Sequence, residues 1–228
     1  MLPEKTDWGF DSMAAKAVAV IDYGLGNLFS VRRALEHCGA EVIVTSEAEK
    51  ILAADRVILP GVGAFANGMA KLVDLGLDAV VREVAAKGMP LLGICLGMQM
   101  LLDESDEYGI TPGLGLISEK VVAIPPVSPD GKPLKIPHIG WNELILASGR
   151  ESWSDTPLVG LSPGKDAVYF VHSFMAMPTD PAMWVADCLY GGITIPAVIG
   201  RKNVFGCQFH PEKSGEVGLG ILRNFVSL

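Results

Sequence analysis

A cysteine between two glycines is the clearest sign of chemistry in the sequence. Residues 91–99 read LLGICLGMQ, so Cys95 follows a short apolar run and lies within a Gly-x-Cys-x-Gly pattern. This is the thiol counterpart of the Gly-x-Ser-x-Gly turn, where a buried strand turns sharply into a helix and presents a nucleophile. At a helix amino terminus the helix dipole favours a thiolate. We therefore predict that Cys95 is a nucleophile, the alternative being a buried cysteine between packing glycines.

A base for this thiol lies near the carboxyl end of the chain. His210, Pro211 and Glu212 follow the strand-like run at residues 204–209. Proline favours an extended form in the residue before it, and residues two apart in an extended segment point the same way, so Glu212 can reach His210. We predict that His210 takes the thiol proton and that Glu212 orients the imidazole ring. Cys207 and His210 could also be metal ligands, but no further ligand at suitable spacing accompanies them, and no metal site is predicted.

A glycine-containing turn supplies candidate donors for a developing negative charge. The apolar run at residues 57–59 is followed by a proline and then by Gly61, Val62 and Gly63. Such residues at the carboxyl end of a strand leave backbone N–H groups facing the edge where an open α/β sheet binds ligands. Together with the N–H of Leu96, they are predicted to hold the oxygen of a tetrahedral intermediate. A plain glycine turn is the alternative.

Alternating strands and helices must bring these segments to one edge. Apolar and β-branched runs predict strands at residues 17–22, 41–45, 56–59 and 90–94, and helical periodicity predicts helices at 28–38 and 69–87, with another beginning at 97–102. This alternation predicts an α/β fold with a mostly parallel central sheet flanked by helices. Beyond residue 114, Pro and Gly clusters predict added antiparallel strands, and residues 217–226 predict a closing helix. Residues 16–228 are interpreted as one domain and residues 1–15 as a disordered extension.

Composition excludes several classes of protein. The 228 residues carry a net charge of −8, which argues against a nucleic-acid or anionic-membrane binder. The longest uncharged stretch, residues 88–102, is shorter than the roughly 20 apolar residues of a membrane span. The four cysteines form no C-x-x-C pair, and the amino end lacks a signal-peptide pattern. We therefore expect reduced thiols and a cytoplasmic location.

Taken together, these motifs resemble those of the class I, or triad, glutamine amidotransferases. The segments typical of the class are residues 93–99 (GICLGMQ) and 209–214 (FHPEKS). Four others are similar to the glutaminase subunits of imidazole glycerol phosphate synthases: residues 21–28 (IDYGLGNL), 59–65 (LPGVGAF), 137–142 (PHIGWN) and 169–174 (YFVHSF). The resemblance extends from about residue 18 to the carboxyl end. It implies a flavodoxin-like class I amidotransferase fold.

The resemblance also implies a reaction and a set of site residues. Cys95 would attack the side-chain amide of L-glutamine, with His210 as base and Glu212 as its orienting group, and no cofactor would be needed. Glutamate and ammonia would be released through a cysteinyl thioester. His138 is interpreted as a structural histidine, and His172 as a structural rather than a directly catalytic one. The residues that the resemblance places around glutamine are Gln99, His172, Ser173 and Phe174.

A partner follows from the same resemblance. It implies a heterodimer with a (β/α)₈-barrel cyclase, which receives ammonia through the protein interior and completes the imidazole ring in histidine biosynthesis. The isolated subunit is expected to be nearly inactive until the partner reshapes the loop at residues 60–63. Two alternatives are a free-standing cysteine hydrolase of the γ-glutamyl hydrolase type and a non-catalytic flavodoxin-like module.

Overall fold

A computed structural model describes residues 15–228, with Pro178 described by its backbone alone. The disordered extension predicted for residues 1–15 lies outside the described residues, except for Ala15. Within residues 15–228, every helix is too short or too polar to cross a lipid bilayer.

The chain forms fourteen strands and six α-helices within its described part. The strands are β1 Ala17–Ile21, β2 Glu41–Thr45, β3 Arg56–Gly61, β4 Leu91–Cys95, β5 Leu102–Ser105, β6 Thr111–Pro112, β7 Ile117–Ala123, β8 His138–Glu143, β9 Ile145–Leu146, β10 Ala167–His172, β11 Phe174–Pro178, β12 Trp184–Tyr190, β13 Ile193–Arg201 and β14 Val204–Cys207. The helices are α1 Leu28–His37, α2 Ala48–Leu52, α3 Phe65–Asp74, α4 Leu77–Ala86, α5 Leu96–Met100 and α6 Gly215–Ser227.

Eight strands form the central sheet, in the order β2-β1-β3-β4-β14-β13-β12-β9. The first five of these strands pair in parallel. The remaining pairs, β14-β13, β13-β12 and β12-β9, are antiparallel. The predicted α/β class, with a mostly parallel sheet and antiparallel additions in the second half of the chain, is confirmed.

Two apolar layers cover the central sheet, because alternate side chains of a strand point to opposite faces. Val18 and Val20 of β1 pack in one layer with buried residues of α1 and α6. Ala19 and Ile21 pack in the other layer with buried residues of α3 and α4. A strand that is buried on both faces has a continuous apolar sequence, which explains why β1, β3 and β4 could be predicted from the sequence.

Two smaller sheets lie beyond the carboxyl end of β4. One contains four strands in the order β11-β7-β5-β6, and the other pairs β10 with β8. In the second sheet His172 lies directly opposite His138 in an antiparallel register. These sheets bring the segment around residues 171–174 against the end of the central sheet.

Two helices differ from their predicted extents. The helix predicted at residues 69–87 is two helices, because Gly76 adopts a left-handed conformation with φ of 67° and separates α3 from α4. The helix predicted from residue 97 ends after one turn, at Met100. The carbonyl of Leu101 accepts instead from the N–H groups of Leu116 and Ile117, at 2.9 and 3.1 Å, which draws the chain into β5.

Candidate active site

Cys95 sits at a strained turn between β4 and α5. Its φ of 55° and ψ of −111° lie outside the conformations that side-chain-bearing residues favour. A Cβ on Gly97 would lie 1.8 Å from the carbonyl oxygen of Leu59, and one on Gly93 would lie 2.7 Å from the Gly97 carbonyl. Strand and helix therefore meet backbone against backbone, and both glycines are required by this close approach.

Sheet topology brings His210 to this turn. β14 is the parallel neighbour of β4, and Cys207 lies opposite Ile94, so both strands end at the same edge. The chain then continues to His210, whose backbone N–H donates to the carbonyl of Tyr169 at 3.0 Å. Cys95 and His210 line one pocket, where interaction with the Cys95 sulfur contributes to the raised pKa of His210. The structure thus brings together two segments that lie more than a hundred residues apart.

Glu212 holds the imidazole from the side away from the pocket. Its Oε1 lies 2.9 Å from Nδ1 of His210, and its side chain is only 1% exposed. The short 3₁₀ turn Pro211–Lys213 carries this residue, and the Ser214 hydroxyl donates to the carbonyl of His210 at 2.6 Å. The ring is therefore fixed by its side chain and by its backbone.

Negative neighbours determine the protonation of His210. Burial lowers its pKa, but hydrogen bonds and charge interactions with Cys95 and Glu212 outweigh burial and raise the pKa to about 9. At neutral pH His210 therefore carries a proton.

Most of the predicted substrate-binding residues line the same pocket. The lining residues among the predicted set are Val62, Gly63, Leu96, Gln99, His172, Ser173 and Phe174. Gly61 is the exception, since it lies behind the pocket in β3, opposite Cys95 of β4. A Cβ there would come 2.5 Å from the Tyr23 hydroxyl and 2.9 Å from the Gly97 nitrogen, so Gly61 is required by packing.

The turn after β3 is open to solvent. Val62 is 39% exposed, and Gly63 has a φ of 101° with no atom within 4 Å of an added Cβ. The next helix, α3, begins at Phe65, whose N–H donates to Oε2 of Glu107 at 2.6 Å. The turn is therefore anchored at both ends and loosely packed between them.

Two side-chain amides connect the nucleophile to the opposite wall. The Nε2 of Gln208 lies 3.7 Å from Sγ of Cys95, within the range of a hydrogen bond to sulfur. The Nε2 of Gln99 donates both to Oε1 of Gln208, at 2.9 Å, and to the carbonyl of Phe174, at 3.1 Å. Both donors of Gln99 are therefore used within the protein.

A second series of hydrogen-bond contacts begins at the carbonyl of Phe174. Nδ1 of His172 lies 2.8 Å from the Phe174 oxygen, and its Nε2 lies 3.0 Å from Nδ1 of His138. His138 in turn contacts Oδ1 of Asn142 at 3.0 Å, and Asn142 donates to the carbonyl of Leu189 at 2.6 Å. Burial lowers the pKa of His172 to about 3, and it also lowers that of His138.

Three residues near the reactive groups were not predicted. Glu107 and Tyr108 line the pocket from the loop after β5, and no motif in the sequence marks them. Gln208 was the most visible of the three, because it is a polar residue next to the apolar strand at residues 204–207. Among residues 15–228, no group of three or more His, Cys, Asp or Glu side chains is placed to hold a metal ion.

Comparison with known sequences identifies a family and several relatives. A family model described as "Glutamine amidotransferase class-I" matches residues 19–228. The "Imidazole glycerol phosphate synthase subunit HisH 1" of Legionella pneumophila (strain Lens) is 52% identical over 212 residues, which cover 93% of this chain and 99% of that protein. The "Imidazole glycerol phosphate synthase subunit HisH" of Geobacillus thermodenitrificans (strain NG80-2) is 48% identical over 211 residues, covering 92% and 95%.

Solved structures share the fold at lower sequence identity. The structure of PurLQS from Thermotoga maritima superposes with a TM-score of 0.67 at 21% identity, over 94% of this chain and 99% of that one. The glutaminase domain of Trypanosoma brucei CTPS, with bound acivicin, gives a TM-score of 0.60 at 14% identity, covering 93% and 94%. At these identities the likeness concerns the fold alone.

Proposed function

Because this chain belongs to the class-I glutamine amidotransferases, we propose that it is the glutaminase subunit of an imidazole glycerol phosphate synthase. In this role it hydrolyses L-glutamine to glutamate and ammonia, and a cyclase subunit uses the ammonia in histidine biosynthesis. The observation that supports the catalytic part is that Cys95 and His210 line one pocket and that Oε1 of Glu212 lies 2.9 Å from Nδ1 of His210. The names of its relatives support the assignment to this synthase.

Acylation begins from an ion pair. With the pKa of His210 raised to about 9, the ring holds its proton at neutral pH and Cys95 attacks as a thiolate. Attack on the side-chain amide carbon of glutamine forms a C–S bond and places a negative charge on the amide oxygen. The backbone N–H groups of Leu96 and of the Val62–Gly63 turn are the donors we assign to that oxygen. His210 then gives its proton to the departing nitrogen, so that ammonia leaves and a glutamyl thioester remains.

Deacylation uses the same ring in the opposite direction. His210, now neutral, takes a proton from water as the water oxygen attacks the thioester carbon. The tetrahedral intermediate collapses with loss of the Cys95 thiolate, and glutamate is released. Glu212 stabilises the imidazolium that this step restores. The starting ion pair is thereby regenerated.

The partner is a cyclase subunit, and we assign it a (β/α)₈-barrel fold and a heterodimeric complex with this chain. Ammonia passes between the two sites through the protein interior, where it remains neutral and is not lost to solvent. The open, loosely packed turn at Val62 and Gly63 is the element we expect the partner to reshape, so that its N–H groups complete the oxyanion site. We place the enzyme in the cytoplasm, where its four unpaired cysteines would remain reduced.

Replacement of the nucleophile tests the proposal. In complex with the cyclase, Cys95→Ala is expected to reduce glutamine-dependent glutamate release by more than about 1,000-fold, because the thiol forms the covalent bond. Synthesis supported by added ammonium is expected to stay near the wild-type rate, since the cyclase site is untouched. Both activities are measured on one preparation, with native mass to show that the complex is intact. Wild-type glutaminase activity in the variant would contradict the proposal.

The coupling to the partner has a separate measurement. Glutamate release by the wild-type chain is measured alone and with saturating cyclase and its ligand. We expect the complex to be at least about 100-fold faster, because the oxyanion donors reach their productive positions only there. Equal rates would contradict the coupling and would favour a free-standing hydrolase.

A further inference from the structure

The contacts of Gln208 suggest a role that goes beyond the triad. Its side chain is fully buried, and its Nε2 lies 3.7 Å from Sγ of Cys95. Cys95 is itself buried, and a buried thiolate loses the water that would otherwise stabilise its charge. Donors from the protein must replace that water. His210, which lines the same pocket and is protonated at neutral pH, is one candidate donor.

The orientation of the Gln208 amide is dictated by a backbone carbonyl. The Phe174 oxygen can only accept, so Gln99 must present Nε2 to it. That nitrogen also contacts Oε1 of Gln208, to which its second hydrogen is donated. With its oxygen used in this way, Gln208 must turn its nitrogen toward the sulfur. Reversing either amide would place two acceptors or two donors against each other.

We propose that Gln208 is a further catalytic residue, whose side-chain N–H donates to the Cys95 sulfur and stabilises the thiolate, and that Gln99 positions it. The inference rests on the proposed glutaminase function. A thiolate forms twice in that reaction, once before attack and again when the thioester intermediate expels the sulfur. A neutral donor favours the anion over the thiol and over the thioester, so it assists both steps.

The first experiment measures the sulfur directly. Cys95 is alkylated with iodoacetamide across a pH series, and its labelled peptide is quantified by mass spectrometry, with Cys95→Ala giving the background from the other thiols. Gln208→Met keeps the side-chain length and removes the donor. We expect alkylation at pH 7 to slow by about 5- to 10-fold and the midpoint of the rate-versus-pH curve to move upward. In the cyclase complex, kcat should fall by about 10-fold with KM changed by less than twofold.

Two further variants separate the donor from the packing. Gln208→Glu preserves the shape and the acceptor for Gln99 but places a carboxylate oxygen beside the sulfur, and we expect a larger loss than in Gln208→Met. Gln99→Met releases the orientation of Gln208 and should give a smaller shift in the same direction. The matched control is Asn203→Leu, which removes a part-buried amide that donates to the carbonyls of Ala85 and Met89. It should lower stability and leave the labelling curve unchanged.

The outcomes distinguish this inference from the proposed function. A labelling curve that superimposes on wild type in both Gln208 variants, or in Gln208→Glu and Gln99→Met if Gln208→Met does not fold, overturns the catalytic role. Such a result, combined with reduced turnover, would indicate a packing role only. If the curve shifts while the wild-type complex releases no glutamate, the role at the sulfur stands and the proposed function fails.

Discussion

His210 and His172 lie on the wall of the same pocket, both are buried, and yet their pKa values move in opposite directions. The pKa of His210 rises to about 9, against the effect of burial, because interactions with Cys95 and with the Glu212 carboxylate favour the charged ring. That of His172 falls to about 3, because burial is opposed only by the carbonyl of Phe174, and His138 and His210 add to the decrease. One ring is charged at neutral pH and the other is not.

The comparison shows that burial alone does not determine the use of a histidine. Burial lowers the pKa of both rings, and the charge of the neighbouring groups decides the result. A ring between two anions can hold, give and regain a proton during turnover. A ring between a carbonyl and another imidazole serves instead to fix the backbone around Phe174. We therefore interpret His210 as the proton carrier and His172 as a structural contact of the substrate wall.

Replacing each histidine by asparagine tests whether the two rings have different roles. We expect His210→Asn to lower the kcat of glutamine hydrolysis in the complex by at least about 1,000-fold, because proton transfer to ammonia and from water is removed. His172→Asn should lower it by only about 3- to 10-fold, through a displaced substrate wall. Synthesis from added ammonium serves as the control for both variants. Losses of equal size would show that His172 takes part in proton transfer.

Removing the charge beside His210 tests whether Glu212 controls the pKa of this ring. Glu212→Gln keeps the shape of the side chain but takes away the carboxylate, so the pKa of His210 should decrease. We expect kcat to fall by about 10- to 100-fold, since the imidazolium is less stabilised and the ring is less well oriented. The measurement is the pH profile of kcat, together with the NMR titration of the ring. An unchanged ring titration would show that Glu212 does not control His210.

The opposite pKa shifts of the two rings also predict how stability depends on pH. The raised pKa of His210 makes its contribution fully present below its unfolded value of 6.5, and that contribution disappears as the pH rises through about 9. The lowered pKa of His172 has the opposite consequence, since stability is lost as the pH falls from 6.5 toward 3. At about 1.36 kcal/mol per pKa unit, each effect should be at most on the order of 3–5 kcal/mol in the free energy of unfolding.

Urea denaturation of three proteins separates these two contributions. The difference between wild type and His210→Asn should shrink between pH 7 and pH 10, whereas the difference between wild type and His172→Asn should shrink below pH 6.5. Differences that do not vary with pH would show that neither ring changes its protonation on folding. Acid or alkaline unfolding of the whole domain affects wild type and both variants alike, so it cancels when their free energies of unfolding are subtracted.

Local patterns made much of the fold and part of the site predictable. The turn at Cys95 could be anticipated because strand, glycines and helix lie within one short segment. The meeting of Cys95 and His210 depends on β14 inserting beside β4, and no local pattern records strand order. It was predicted from the presence of a Cys turn and a His-x-Glu segment in one α/β domain. The partner and the reaction came from a resemblance, and the roles of the individual site residues stay predictions.

The remainder of the site depended on long-range contacts. The α5 helix ends early because the backbone at Leu116 and Ile117 takes over the carbonyl of Leu101, which no helical periodicity could indicate. Glu107 and Tyr108 reach the pocket from a loop whose sequence has no distinctive pattern, and Tyr108 is 94% exposed. Sequence reasoning therefore predicted most residues of this pocket and missed those that reach it from the loop after β5.

The row of contacts through the paired histidines has a carbonyl oxygen at each end, at Phe174 and at Leu189. Asn142 provides the hydrogen for the contact with Leu189. The three other contacts must use hydrogens of the two rings: Phe174 with His172, His172 with His138, and His138 with Asn142. Two neutral imidazoles carry only two N–H hydrogens, so one of the three contacts has no hydrogen. One proton added to either ring would give every contact a hydrogen. A second added proton would place two N–H donors against each other. As the solution becomes acidic, His138 and His172 will therefore take up one proton between them before either can take another.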